Sequence, residues 1–174
     1  MIVCLQKMLP GKNPENNAEG METEIWKVKN DLIMKEIKAL LEAQKSVSIY
    51  VRGGSMRPFL REGDKVTLMP AGEWNIKKGM IVLARVHDRM ILHRVTNRKA
   101  GRICLMGDAN ARQRERVGIE DVWGVVSDAY RGGGEIELYS CRMCTAVWLW
   151  TLLRPLRGGL LRVYDWWEKK KDKR

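Results

Sequence analysis

The chain of 174 residues is long enough for one domain with a hydrophobic core and short extensions. Hydrophobic residues make up 45% of it and charged residues 30%, a balance that excludes an intrinsically disordered protein. No run reaches the roughly 18 apolar residues of a membrane-spanning helix, and no cleavage site follows the short apolar start. We therefore expect a cytoplasmic protein, or one that associates peripherally with a membrane.

The net charge of +11 is spread unevenly along the chain. Residues 85–116 and residues 141–174 each hold nine Lys or Arg against three Asp or Glu, whereas residues 117–140 hold one against five. Two separate basic zones favour an anionic partner or an anionic surface. The charge alone does not decide between the two.

The first 45 residues divide into two segments. Residues 1–23 read as a polar, unstructured leader and residues 24–45 as an N-terminal helical segment. Within residues 30–44, apolar side chains recur at helical spacing after an Asn-Asp cap, which predicts one amphipathic helix. These apolar positions are Ile33, Ile37, Leu40 and Leu41.

From residue 46 the apolar spacing changes to a period of two, which is typical of β-strands. Val47, Ile49 and Val51 alternate with polar residues and predict a strand. Turn residues separate further predicted strands at 65–69, 80–86, 89–96, 102–106, 122–129 and 135–139. Many short strands without helices between them favour a mainly β fold, an antiparallel and partly open barrel over residues 46–140.

Residues 141–174 form a basic tail rich in Trp and Arg. Pro155 and the glycine pair at 158–159 should divide residues 144–167 into two short helices. Tryptophans interleaved with arginines suit a helix at the surface of an anionic membrane. A helical pair packed on the domain explains the same pattern, and both interpretations stay open.

The four cysteines give no metal signature. Cys141 and Cys144 form a lone C-x-x-C pair, without a second pair or a histidine at zinc spacing. We therefore expect plain thiols, with neither a metal nor a cofactor.

A candidate nucleophile follows the first strand. Ser55 stands in Gly53-Gly54-Ser55-Met56-Arg57-Pro58, where an ordinary turn is the alternative interpretation. A serine hydroxyl needs a neighbouring base to become nucleophilic.

The chain offers two histidines as that base. His93 shares a strand face with Ile91 and Val95, so we expect it to be buried, whereas His87 lies at a predicted hairpin turn. Asp108, in the turn after the 102–106 strand, could accept a hydrogen bond from the His93 imidazole. A structural histidine and a plain Gly-Asp turn are the alternatives.

Taken together, these motifs resemble a known superfamily. Gly54-Ser55-Met56-x-Pro58, Gly63-Asp64-x-Val66, Gly79-x-Ile81-Val82, His93-Arg94-Val95 and Gly107-Asp108-x-Asn110 follow one another over residues 46–128. Their order and spacing are similar to the S24/S26 serine peptidases, which include type I signal peptidases and LexA-like repressors. Histidine at position 93, where most bacterial members carry lysine, resembles the endoplasmic-reticulum and archaeal signal peptidases.

The resemblance implies a LexA- and signal-peptidase-like barrel and a role for each site residue. Ser55 would be the nucleophile, His93 the general base, and Asp108 the acid of the Gly-Asp motif. The backbone N–H of Ser55 would bind the oxyanion, with the neighbouring residues close to the substrate. Those neighbours are Gly53, Gly54, Met56 and Pro58. Two positions depart from the pattern: Gly53 replaces a hydroxyl residue of signal peptidases, and Arg114 an acid of the eukaryotic-type enzymes.

Three functions fit this sequence to different degrees. The first is a serine endopeptidase that cleaves a peptide or protein substrate. The second is a catalytically weak or inactive module on the same fold that binds a peptide or, through residues 144–167, an anionic membrane surface. The third is a self-cleaving, LexA-like DNA-binding regulator. The third fits worst, because only one helix precedes Ser55 and no Ala-Gly or Cys-Gly pair does, so nucleic acid is not an expected partner.

Overall fold

A computed structural model describes residues 32–87, 89–110, 113–153 and 159. The predicted leader, residues 1–23, and the predicted second helix of the tail lie outside this part of the chain.

The first helix, α1, includes residues 32–42. Its buried side chains, Met34, Ile37 and Leu41, lie three and four residues apart and therefore occupy one face. That face packs on the sheet, where a Cβ on Gly124 would lie 3.2 Å from a methyl group of Leu41. The absence of a side chain at position 124 thus lets the helix approach a strand closely.

The main body is a curled, antiparallel sheet, which confirms the predicted mainly β fold. Its strands are β1 (Val47–Tyr50), β2 (Lys65–Pro70), β3 (Ile81–Val86), β4 (Arg89–Lys99), β5 (Arg102–Met106), β6 (Glu115–Gly118), β7 (Val122–Arg131) and β8 (Gly134–Glu135). They are ordered β1-β2-β7-β3-β4-β5-β6, and β8 pairs with β7. The strand predicted at 135–139 was wrong beyond Glu135, and the sequence did not predict β6.

The sheet separates two hydrophobic clusters. Along β3, Ile81 and Leu83 belong to the cluster beneath α1, whereas Val82 and Ala84 belong to the other. This alternation follows from the two-residue period of a strand, and it makes β3 buried on both faces. The second cluster includes apolar side chains of β5 and β6, at Ile103, Leu105 and Val117.

A loop between β1 and β2 carries the candidate nucleophile. Its ends are joined where the N–H of Val51 donates to the Asp64 carbonyl at 2.8 Å. The Asp64 carboxylate accepts from Nε and Nη2 of Arg131 on β7, at 2.8 and 2.7 Å, and from the N–H of Arg61 at 2.7 Å. Asp64 therefore fixes this loop against the sheet through charge-assisted hydrogen bonds.

The second helix, α2, runs over Cys141–Leu152. The Ser140 hydroxyl caps it by accepting from the N–H of Met143 at 3.3 Å. Four large apolar side chains near its end are exposed, at Trp148, Leu149, Leu152 and Leu153. Within the described residues, neither helix has the length and apolar character to cross a membrane.

Candidate active site

Ser55 lies at the start of a series of turn residues between β1 and β2. The residue two positions earlier, Gly53, has a φ of 74°, a left-handed conformation that costs a non-glycine residue energy. Glycine therefore suits this position better than the hydroxyl residue found in signal peptidases. Ser55 is 9% exposed, and its carbonyl oxygen accepts from the N–H of Ala109 at 2.8 Å.

His93 projects from β4 toward the same place. Ser55 and His93 both line a cleft of about 630 Å³ and a smaller hollow beside it. Gly107 lies between them: a Cβ there would be 2.6 Å from the Ser55 carbonyl oxygen and 2.9 Å from Nε2 of His93. Any larger residue at position 107 would collide with both. The structure thus brings the predicted nucleophile and base to one site.

A carboxylate that the sequence analysis missed holds the other side of the imidazole. Nδ1 of His93 is 3.1 Å from Oε2 of Glu115, and their side chains are only 5% and 11% exposed. Gln113 donates to the second oxygen of Glu115 at 3.0 Å. A proton on Nδ1 that is donated to Glu115 leaves Nε2, the nitrogen near the Ser55 backbone, as the acceptor.

Burial sets the charge state of His93. Removal from water lowers the pKa of His93 below its ordinary value of 6.5, and the attraction of Glu115 opposes this without reversing it. The imidazole is therefore mainly neutral at pH 7. This is the form that can accept a proton from a serine hydroxyl.

Asp108 has a different partner from the one expected. Nε and Nη2 of Arg94 donate to its carboxylate at 2.9 and 2.7 Å, while Nη1 donates to the Gly79 carbonyl at 2.7 Å. Burial alone would lower the pKa of Arg94, but the attraction of Asp108 outweighs it and raises that pKa. A guanidinium offers two parallel hydrogen bonds to a carboxylate, and an imidazole offers only one. The hydrogen bond that we expected between His93 and Asp108 is formed between His93 and Glu115 instead.

The helix α2 packs against this Gly-Asp turn. Nε1 of Trp150 donates to the Asp108 carbonyl at 2.6 Å. The Trp150 ring meets Phe59 edge-on, with centroids 6.5 Å apart, and the Arg94 guanidinium lies 5.6 Å from the centre of the Phe59 ring. The turn behind Ser55 and His93 is thus held by a side chain from the C-terminal tail.

The proposed substrate contacts are placed close to the nucleophile. Met56 lines the smaller hollow together with apolar and polar side chains, among them Leu92, Arg52 and His93, and this hollow has room for only about 10 Å³. It fits a group the size of a methyl. Gly54 and Pro58 belong to the turn around Ser55, where a Cβ on Gly54 would lie 3.3 Å from Nε of Arg57.

The sequence contains only a weak indication that Glu115 belongs to the site. Glu115 is the only acid among residues 112–116, one position after Arg114. It reaches His93 because β6 pairs with β5, which places Glu115 opposite Leu105. No group of three or more His, Cys, Asp and Glu side chains in the described residues is arranged to hold a metal ion.

A comparison with known protein families gives a match that includes this region of the chain. The model of the family described as Peptidase S24-like matches residues 15–126, more than half of the chain. The chain belongs to the Peptidase S24-like family. No curated protein matched the chain. The family match includes Ser55, His93 and Glu115 and ends before Trp150, so the contact from α2 lies outside it.

Proposed function

We propose that this Peptidase S24-like protein is a serine endopeptidase with Ser55 as nucleophile and His93 as general base. The observation that carries the proposal is the orientation of one imidazole. Its Nε2 and the Ser55 carbonyl oxygen both lie within 3 Å of the point that a Cβ on Gly107 would occupy, and its Nδ1 is held by Glu115. A neutral histidine in this arrangement supports activation of a serine hydroxyl.

The reaction follows from these positions. Oγ of Ser55 attacks the carbonyl carbon of the substrate, and its proton passes to Nε2 of His93. Glu115 stabilises the imidazolium that forms, and the Ser55 N–H donates to the oxyanion. His93 then gives the proton to the departing amine as the C–N bond breaks. A water molecule, deprotonated by His93, hydrolyses the acyl-enzyme and restores the serine.

The test uses a peptide library and a fluorophosphonate, a reagent that reacts with activated serines. We expect wild type to cleave peptides and to be labelled at Ser55. Ser55→Ala and His93→Ala should lower kcat at least about 10³-fold. Ser48→Ala is the matched control, because Ser48 is exposed on β1 and does not line the cleft. Full activity of Ser55→Ala would contradict the proposal.

One observation favours a second candidate, a module that binds an anionic membrane. The end of α2 exposes Trp148 by 63% and Leu152 by 69%, and the sequence that follows is strongly basic. Apolar rings beside cations suit the lipid headgroup region. The test is co-sedimentation with phosphatidylserine vesicles and with phosphatidylcholine vesicles. If this candidate is right, the protein binds the phosphatidylserine vesicles only, and the Trp148→Ser, Leu152→Ser double variant does not bind them.

A further inference from the structure

The walls of the large cleft carry a charge pattern that the proposed chemistry does not use. The lining includes the end of the β3–β4 hairpin, with His87 and Arg89, and the segment that leads into β6, with Gln113 and Arg114. Both arginines are exposed, whereas Ser55 and His93 are buried. Two exposed guanidinium groups therefore line the same cleft as the candidate nucleophile.

These arginines differ from several others of the sheet. Arg85, Arg94, Arg98 and Arg131 each form an ion pair with an acid at 3.4 Å or less. In the described part of the chain, which excludes Asp88, no carboxylate forms such a pair with Arg89 or Arg114.

The only acid in the described cleft lining forms an ion pair with neither arginine. Both oxygens of Glu115 are engaged, one by His93 and the other by Gln113. With His93 neutral, the described lining carries two positive charges against one negative charge. Charges of one sign in a concave site concentrate the field and attract a ligand of the opposite sign.

We propose that the cleft binds peptide segments with Asp or Glu beside the scissile bond, through Arg89 and Arg114. This rests on the proposed peptidase function for cleavage but not for binding. A guanidinium matches a carboxylate with two parallel hydrogen bonds. Because both arginines are solvent-exposed, each contact contributes modestly, and we expect a preference of a few-fold to about tenfold that weakens with salt.

The experiment uses three fluorescent peptides with a central Ala-Ala, whose methyl groups suit the small hollow. They differ only in the flanking residues, which are Glu, Gln or Lys. Binding is measured by anisotropy with Ser55→Ala, and kcat/KM with wild type, each at low and high ionic strength. We expect both affinity and kcat/KM to fall in the order Glu, Gln, Lys, with smaller differences at high salt.

Charge reversal supplies the decisive comparison. The Arg89→Glu, Arg114→Glu double variant should prefer the Lys peptide, whereas Arg102→Glu, an exposed change on β5 outside the cleft lining, should keep the order of wild type. Equal binding of the three peptides, including no binding of any, overturns the inference. So does a double variant that still prefers Glu. Selective binding without hydrolysis supports the inference and contradicts the proposed peptidase, and hydrolysis without selectivity does the reverse.

Discussion

His93 is influenced by two carboxylates that act on it differently. Glu115 forms a hydrogen bond with its ring, whereas Asp108 acts on it only through space while bound to Arg94. Both attract the imidazolium and so raise the pKa of His93 against the lowering caused by burial. Only Glu115 also orients the ring, which separates the expected effects of the two acids.

Glu115→Gln tests the orienting acid. Loss of the negative charge should lower the pKa of His93 further, so the rise of kcat/KM with pH should have its midpoint at a lower pH than in wild type, which itself lies below 6.5. The rate on the plateau should fall roughly 10²- to 10⁴-fold, because the imidazolium loses its stabilising partner. The measurement is hydrolysis from pH 4 to 9, with the exposed change Glu120→Gln as control. An unchanged plateau would remove Glu115 from the mechanism.

Asp108→Asn tests the buried ion pair. The side chains of Asp108 and Arg94 are each 7% exposed, so removal of one charge leaves the other buried without compensation. We expect the free energy of unfolding to fall by about 3 kcal/mol. The comparison is Glu73→Gln, which removes the ion pair between Glu73 and Arg98. The Glu73 side chain is 81% exposed, so this change should lower the free energy of unfolding by less than about 1 kcal/mol. Denaturant unfolding measures both free energies. Equal losses in the two variants would show that the buried pair with Arg94 stabilises the fold no more than an exposed pair does.

At the scale of secondary-structure elements, the sequence predicted the strands whose own residues show a clear apolar pattern. Strands β2 to β5 and β7 have apolar alternation or continuous apolar runs between turn residues, and they formed close to the predicted bounds. Strand β6 has a single buried apolar residue, Val117, and exists because β5 offers it an edge. Glu115 starts that strand, so its meeting with His93 depends on tertiary pairing and could not be predicted from local pattern.

The pairing of Asp108 was unpredictable for a related reason. The motif places it near β4, where His93 and Arg94 are consecutive and point in different directions. Which of the two meets Asp108 depends on how the turn folds back over the strand, and the contacts that hold the turn there come from distant parts of the chain, at Ser55 and Trp150.

The helix α2 should affect catalysis through one hydrogen bond. Trp150→Phe keeps an aromatic ring against Phe59 but removes the donor to the Asp108 carbonyl. We expect a loss of about 1–3 kcal/mol in stability and a lower kcat with little change in KM, because Trp150 supports the turn that positions the site and does not itself line the cleft. Trp148→Phe, at an exposed position of the same helix, is the control. Identical kinetics of the two variants would contradict the coupling.

For the molecule as a whole, the folding unit should extend beyond the family match. Ala129 and Leu138 are buried in the cluster beneath α1, and Arg131 supplies the partner of Asp64. A fragment ending at residue 126 lacks all of these and exposes the apolar surfaces that they cover. We expect residues 24–153 to unfold cooperatively on heating and residues 24–126 not to, as followed by circular dichroism. A cooperative transition in the shorter fragment would limit the fold to the matched region.

The hydrogen bond from the Ala109 N–H to the Ser55 carbonyl allows the opening of the site to be measured by hydrogen exchange. This amide can exchange its proton for deuterium only when the Gly-Asp turn separates from the serine loop. Its exchange rate in the native protein therefore measures how often the catalytic arrangement comes apart, without a substrate and without a mutation. If the amide exchanges more slowly than the exposed amides of the β3–β4 hairpin, the site is preassembled. If its protection equals that of β3, the site opens only when the whole molecule unfolds.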